Sequence, residues 1–312
     1  MTSRESTPVV RARGLSKFYG QVLGLNDVTL TVGRGITGVL GPNGAGKSTF
    51  LWLLAGQLLP SQGSLELYGC ALPGGPEVRR QVGLCPEPDA FYWEMTGRQF
   101  VAGLARLSGI TGRRARSRAQ EVLEQVGLAG VMDRAIRTYS RGMRQRTKLA
   151  QALVADPQLL LLDEPLAGAD PVGRHELIEL IRDFGRRGKD VLVSSHVLQE
   201  VEALTDVVVL LYRGRVVAEG RIETIRELLD QHPHQVVIEC DRVRELARTL
   251  IQSEDVVSCQ VSGADTLTVR TRRPQDFYRQ LPKLLMDGSY RVRRIQTADD
   301  SLEAVFRYLA TG

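Results

Sequence analysis

The stretch Gly41-Pro42-Asn43-Gly44-Ala45-Gly46-Lys47-Ser48-Thr49 satisfies the pattern G-x-x-x-x-G-K-[ST] at every fixed position. It constrains the fold because the pattern works in one setting, a turn between a buried strand and the N-terminus of a helix. Gly41, Gly44 and Gly46 let the backbone wrap closely enough for successive N–H groups to face a β-phosphate. Lys47 then reaches the β- and γ-phosphates, and the Ser48 hydroxyl is a ligand for Mg²⁺. Both flanks agree: residues 36–40 read as a short buried strand and residues 49–59 as a helix. Unpaired N–H groups and the macrodipole at that helix start favour an anion.

Leu159 to Leu162, followed by Asp163-Glu164-Pro165, read as a fully buried strand whose ladder stops at the proline. A parallel strand delivers side chains at its C-terminal edge, where ligands bind in open α/β sheets. Asp163 can therefore hold Mg²⁺, directly or through water, and Glu164 can polarise an attacking water as general base. Residues 191–196 repeat the arrangement and end in His196, at a point suited to touching a γ-phosphate. Tyr139-Ser140-Arg141-Gly142-Met143 precedes a helix running to about residue 155, with Ser140 as its N-cap. That is a second exposed helix N-terminus, hence a second place for an anion, and one site does not obviously need both. Tyr19, just before a glycine turn, suits either stacking on adenine or plugging a hydrophobic turn.

Residues 9–15, 22–32 and 64–68 predict a small antiparallel sheet beside the phosphate loop. Helical patterns at 98–108 and 115–126, the latter with Ala119, Val122, Leu123 and Val126 on one stripe, predict a helical insertion. Residues 206–211 and 214–218 predict a closing hairpin. From about residue 235 the order becomes β-α-β-β-α-β, over 235–240, 242–252, 256–261, 266–271, 274–286 and 292–296, with a final helix at 300–309. This pattern predicts a ferredoxin-like α+β domain, and without a nucleophile cluster or metal spacing its expected role is interaction or dimerisation.

At 312 residues the chain has room for one large domain and a smaller one. No apolar run reaches the ~18 residues of a membrane helix. The N-terminal stretch lacks a signal-peptide apolar region, so a cytosolic protein is expected. Cys70, Cys85, Cys240 and Cys259 show no metal or redox spacing and read as reduced packing residues. The net charge of +5 is uneven: residues 98–148 hold twelve Lys/Arg against three Asp/Glu, while residues 221–312 hold fourteen of each. The basic stretch fits a nucleic-acid surface, an anionic membrane face or acidic partner, or a solvated helical face. Its arginines are not interleaved with aromatics as in single-strand binders.

With these motifs and Asp170 in this order and spacing, residues 8–220 resemble the nucleotide-binding subunit of an ATP-binding cassette (ABC) transporter. The resemblance implies an α/β P-loop NTPase cassette over residues 1–220, with antiparallel β and helical subdomains. A linker at 221–234 and an accessory α+β domain at 235–312 would follow. It implies ATP and Mg²⁺ as cofactors and ATP hydrolysis coupled to transport. By the same resemblance Tyr19 is the adenine-stacking aromatic, and Glu87 stands where the family usually has glutamine and can ligate Mg²⁺. Ser140, Arg141 and Gly142 belong to the signature motif. Asp163 and Glu164 belong to the Walker B strand, Asp170 to the dimer-contact loop, and His196 is the switch histidine. Two cassettes would pack head to tail around ATP, which accounts for the spare helix N-terminus. The implied partners are an integral membrane permease and a second copy or a paralogous ATPase, without nucleic acid, at the cytoplasmic face of the inner or plasma membrane.

Two departures stand out: Glu87 for glutamine, and Arg141 for the middle glycine of the signature. Both, like the terminal segment 299–309, resemble the ATPases of type-2, daunorubicin-resistance-like exporters. The rival reading is a soluble cassette ATPase acting on nucleic acid or ribosomes. Against it, only 93 residues separate Lys47 from Ser140, no sustained heptads occur, and there is one cassette. A degenerate, regulatory cassette is disfavoured because Lys47, Asp163, Glu164 and His196 are all present.

Overall fold

Strands that are unbroken apolar runs need cover on both faces, and the computed structural model, which describes residues 7–225, 234–288 and 290–297, provides it. The chain divides into two units, Met1–Gly220 and Arg221–Gly312. The first runs β1 (Val10–Tyr19), β2 (Val22–Val32), β3 (Ile36–Leu40), α1 (Lys47–Leu54), β4 (Gln62–Leu67), β5 (Cys70–Leu72), α2 (Pro76–Arg80) and β6 (Val82–Cys85). It continues with α3 (Gly97–Leu107), α4 (Gly112–Gln125), α5 (Arg141–Leu153), β7 (Leu159–Asp163), α6 (Pro171–Arg186), β8 (Asp190–Ser195), α7 (Leu198–Glu202), β9 (Val207–Tyr212) and β10 (Arg215–Arg221).

The main sheet has the order β10-β9-β3-β8-β7-β6, with parallel pairing from β9 through to β6. Side chains of β7 alternate between two cores, as a period of two demands. Leu159 and Leu161 pack with Phe50, Leu51 and Leu54 of α1 and with the antiparallel sheet β2-β1-β4-β5. Leu160 and Leu162 pack with Ile181 and Phe184 of α6 and with the helical layer α3 to α5. Arg213 and Gly214, both at positive φ (48° and 78°), make the two-residue turn between β9 and β10. The Gly214 N–H donates to Ala45 O at 2.9 Å, so this turn braces the phosphate loop.

Helix α1 is shorter than expected, and β5, α2, α6 and α7 add to the elements expected from the sequence. Helix α1 begins at Lys47 and ends at Leu54, because Gly56 turns left-handed (φ 68°) just beyond its C-cap, Ala55. Helix α6 carries the signals of a helix: Asp170 accepts from Gly173 N at 2.8 Å as N-cap, Pro171 opens the first turn, and Leu177, Ile178, Ile181 and Phe184 are buried. The stripe on α4 is as expected, with Ala119, Val122 and Leu123 fully buried along with the C-cap Val126.

Much of the basic stretch is engaged internally. Arg98 grips Asp133 through two hydrogen bonds of 2.7 Å, which hold the Asp133 carboxyl below its ordinary pKa. Arg118 donates to the carbonyls of Leu153 and Val154 at the end of α5. Of the cysteines, Cys85 and Cys240 are buried as packing residues and Cys259 is half-buried, whereas Cys70 is exposed at the start of β5. Burial pushes the Cys85 thiol up to about 12.

The second unit runs β11 (His234–Cys240), α8 (Val243–Leu250), β12 (Val256–Ser262), β13 (Thr266–Thr271), α9 (Pro274–Asp287) and β14 (Val292–Thr297). The sheet order is β12-β13-β11-β14, antiparallel throughout. Val236, Ile238, Leu267 and Val269 on one face pack against Leu246 and Leu250 of α8 and Phe277 and Leu281 of α9. The expected final helix at 300–309, the whole 299–309 segment and most of the linker lie outside the described residues.

Candidate active site

The site lies at the C-terminal edges of β3, β7 and β8. Gly41 opens the loop after β3, where a Cβ would run into Leu211 O. Gly44 and Gly46 take left-handed conformations (φ 79° and 103°), and a Cβ on Gly46 would sit 2.6 Å from Gly24 O. Gly46 is the N-cap of α1, so the first N–H groups of the helix follow directly from the loop. Pro42, Asn43, Gly44 and Ala45 form the arch, closed by a 3.1 Å bond from Ala45 N to Pro42 O.

Lys47 is only 5% exposed, and its ammonium donates to Gly41 O at 2.6 Å and to Pro42 O at 3.3 Å. It also lies 3.2 Å from Glu164 Oε1. That contact is an ion pair by distance but not by hydrogen-bond angle, since Oε1 has no hydrogen-bond partner. Glu164 follows β7 in a left-handed conformation (φ 46°), and its Oε2 lies 3.0 Å from His196 Nδ1. Lys47, Glu164 and His196, expected separately from three strand ends, thus form one contiguous chain.

Asp163 is fully buried. Its Oδ1 accepts from Ser194 Oγ at 2.6 Å, and Ser194 Oγ accepts from Glu164 N at 2.9 Å. Its Oδ2 has no partner among the described residues. A buried carboxylate oxygen without a partner is costly unless something cationic completes it, and Ser194 is the residue that holds it in place. Sequence reading missed Ser194, whose role follows from the pairing of β7 with β8, which sets Asp163 opposite Ser194.

A cavity of about 610 Å³ opens beside Ser48. Glu87, Arg141 and Glu164 line it together with Trp52, Asp89, Arg144 and Lys148. Lys148, nearly fully buried on α5, donates to Glu87 O at 2.6 Å and lies 3.3 Å from Asp89 Oδ1, while Arg144 Nε lies 2.9 Å from Asp89 Oδ2. Lys148, Arg144 and Asp89 were also missed, because a lysine on the covered side of a helix gives no periodic signal. Among the described residues no three His, Cys, Asp or Glu cluster as a metal site. Mg²⁺ does not need such a cluster, since it takes one or two carboxylates with hydroxyl and phosphate oxygens.

Tyr19 ends β1 on the flank of the loop, 40% exposed, with its hydroxyl 3.4 Å from Thr49 Oγ1 and Lys17 Nζ 5.5 Å from its ring centre. The remaining residues keep to their own elements. Ser140 caps α5 by accepting from Met143 N at 3.3 Å, and Gly142 lies in its first turn. Asp170 caps α6. No hydrogen bond or ion pair among the described residues joins Ser140, Gly142 or Asp170 to the phosphate loop.

A profile of the ABC transporter family matches residues 25–167. The daunorubicin/doxorubicin resistance ATP-binding protein DrrA of Streptomyces peucetius is 32% identical over 305 residues, 97% of this chain and 92% of that protein. The Nod factor export ATP-binding protein I of Bradyrhizobium sp. (strain SNU001) is 34% identical over 269 residues, 83% of this chain and 87% of that protein. A solved structure described as the ATP-binding subunit of an ABC transporter matches with a TM-score of 0.63 at 31% identity, covering 71% of this chain and 93% of its own. On sequence, fold and the loop it builds, this chain belongs to the ABC transporter family, as one of its ATP-binding, ATP-hydrolysing proteins.

Proposed function

We propose that this chain is the energy-coupling subunit of an exporter, hydrolysing ATP between two head-to-tail cassettes to drive a separate integral membrane permease. The observation that carries the reading is the chain Lys47–Glu164–His196 lying beside Asp163 and its unpartnered oxygen, at the edge of the sheet where the glycine loop starts a helix. Each residue then has a task. Tyr19 stacks on the adenine, and the N–H groups from Gly41 to Thr49, with Lys47, hold the phosphates.

Ser48, Asp163 and Glu87 would hold Mg²⁺, and the unpartnered Asp163 oxygen fits such a ligand. When bound, the ion neutralises charge on the β- and γ-phosphate oxygens. Glu164 orients the attacking water and takes its proton, while His196 fixes the carboxylate and faces the γ-phosphate. Ser140, Gly142 and Asp170, which make no hydrogen bond or ion pair to their own phosphate loop, serve the nucleotide of the second cassette, whereas Arg141 lines the cavity beside its own Ser48. Export follows the relatives, one of which is named a Nod factor export ATP-binding protein. No helix among the described residues is long and apolar enough to cross a membrane, which suits a peripheral subunit on the cytoplasmic face. Exposed Tyr92, Trp93 and Met95, next to the Glu87 loop, are the apolar surface we assign to the permease. The second unit, with its β-α-β-β-α-β order, is read as a ferredoxin-like accessory domain.

The test is the ATPase rate of the purified chain against its concentration. A site shared by two chains predicts a rate that rises faster than linearly before becoming proportional. Strict proportionality down to the lowest measurable concentration, with the chain monomeric throughout, would sink the shared site.

A further inference from the structure

The cavity beside Ser48 is lined by three carboxylates, Glu87, Asp89 and Glu164, and by three cations, Arg141, Arg144 and Lys148. Asp89 takes both Arg144 and Lys148, and Glu164 takes Lys47. Glu87 and Arg141 are left over, one acid and one base, and no ion pair is formed by either side chain among the described residues. They are also the two positions at which the motifs depart from glutamine and glycine. The Arg141 side chain is held in a definite place: its guanidinium lies on Gly168, in the turn after Glu164, where a Cβ would overlap Cζ, Nε and Nη2. Gly168 is itself left-handed (φ 66°). Arg141 therefore sits on the turn after β7 of its own chain and lines the same cavity as Ser48 and Glu164.

We propose that Arg141 acts within its own chain as the counter-cation of Glu87, cancelling the negative charge that Glu87 brings to the phosphate cavity, with Gly168 as its seat. The idea deepens the ATP-site reading above and rests on it. An anionic side chain beside a triphosphate repels it, and a cation lining the same cavity offsets that repulsion. Both side chains face solvent, so the effect is a few-fold in affinity and fades with salt.

The test is a cycle of MgATP dissociation constants, measured by titration calorimetry on the full chain carrying Glu164→Gln so that nothing is hydrolysed. Arg141→Gly is expected to raise the Kd about fivefold with Glu at position 87, and less than about twofold in the Glu87→Gln background. The difference should vanish at about 0.5 M salt, where the Debye length is only about 4 Å. Gly168→Ala, which evicts the guanidinium, should raise the Kd while Arg141 is present and add little once it is gone. An equal factor for Arg141→Gly in both backgrounds, or no factor in either, overturns the pair. If Arg141→Gly does not fold, Arg141→Gln takes its place in the cycle. A parent that binds no MgATP at all would overturn the ATP-site reading itself, and the pair with it.

Discussion

Glu164→Gln is expected to lower the rate of ATP hydrolysis by about a thousandfold while leaving MgATP affinity within a few-fold of wild type, since positioned acid–base catalysis contributes about 10²–10⁴. The substitution keeps the shape of the side chain and its bond to His196, but removes its ability to accept a proton. The backbone should not move, because the left-handed turn at residue 164 is held by its N–H donating to Ser194 Oγ, which the substitution leaves intact. Single-turnover hydrolysis with a parallel binding titration separates the two effects. A residual rate within tenfold of wild type would remove Glu164 as the base.

Lys47→Ala should weaken MgATP binding by about a hundredfold or more, because it deletes the charge-assisted donor to the β- and γ-phosphates. It should also destabilise the nucleotide-free protein. The Lys47 ammonium satisfies Gly41 O and lies beside a nearly buried Glu164, and removing one member of a buried pair leaves the other charge uncompensated. This gives the prediction an internal check: Lys47→Ala combined with Glu164→Gln should melt higher than Lys47→Ala alone. If Lys47→Ala leaves the Kd unchanged, the loop is not the phosphate site. If the double variant melts no higher than Lys47→Ala, the Lys47–Glu164 contact contributes nothing in the folded chain.

The parts of the fold that were readable are those fixed by local chemistry. The glycines of the loop, the buried runs of β3, β7 and β8, and Ser140 as a cap each state their own requirement within a few residues. So does the alternation of helix and strand periods in the second unit. What stayed hidden depends on residues brought together across the fold. Ser194 acts on Asp163 because β7 and β8 pair in one register, 31 residues apart. Lys148 and Asp89 meet because α5 lies against the loop after β6. In the sequence Arg141 stands out only as the replacement for the signature's middle glycine, and its place on Gly168 follows from the packing of the turn after β7 against the start of α5. Helix α6 could have been found from Asp170, Pro171 and the Leu177–Ile181–Phe184 spacing. Asp170 caps that helix as well as standing in the loop after β7.

The helix N-terminus at Ser140 makes no bond to its own phosphate loop, and in the proposed dimer a second chain supplies the missing half of each site. Light scattering on the Glu164→Gln chain, with and without MgATP, tests this most directly. The expected mass is that of one chain without nucleotide and of two chains with it, with a return to one chain when Ser140→Ala is added. A chain that stays at the mass of one while calorimetry shows MgATP bound would contradict it.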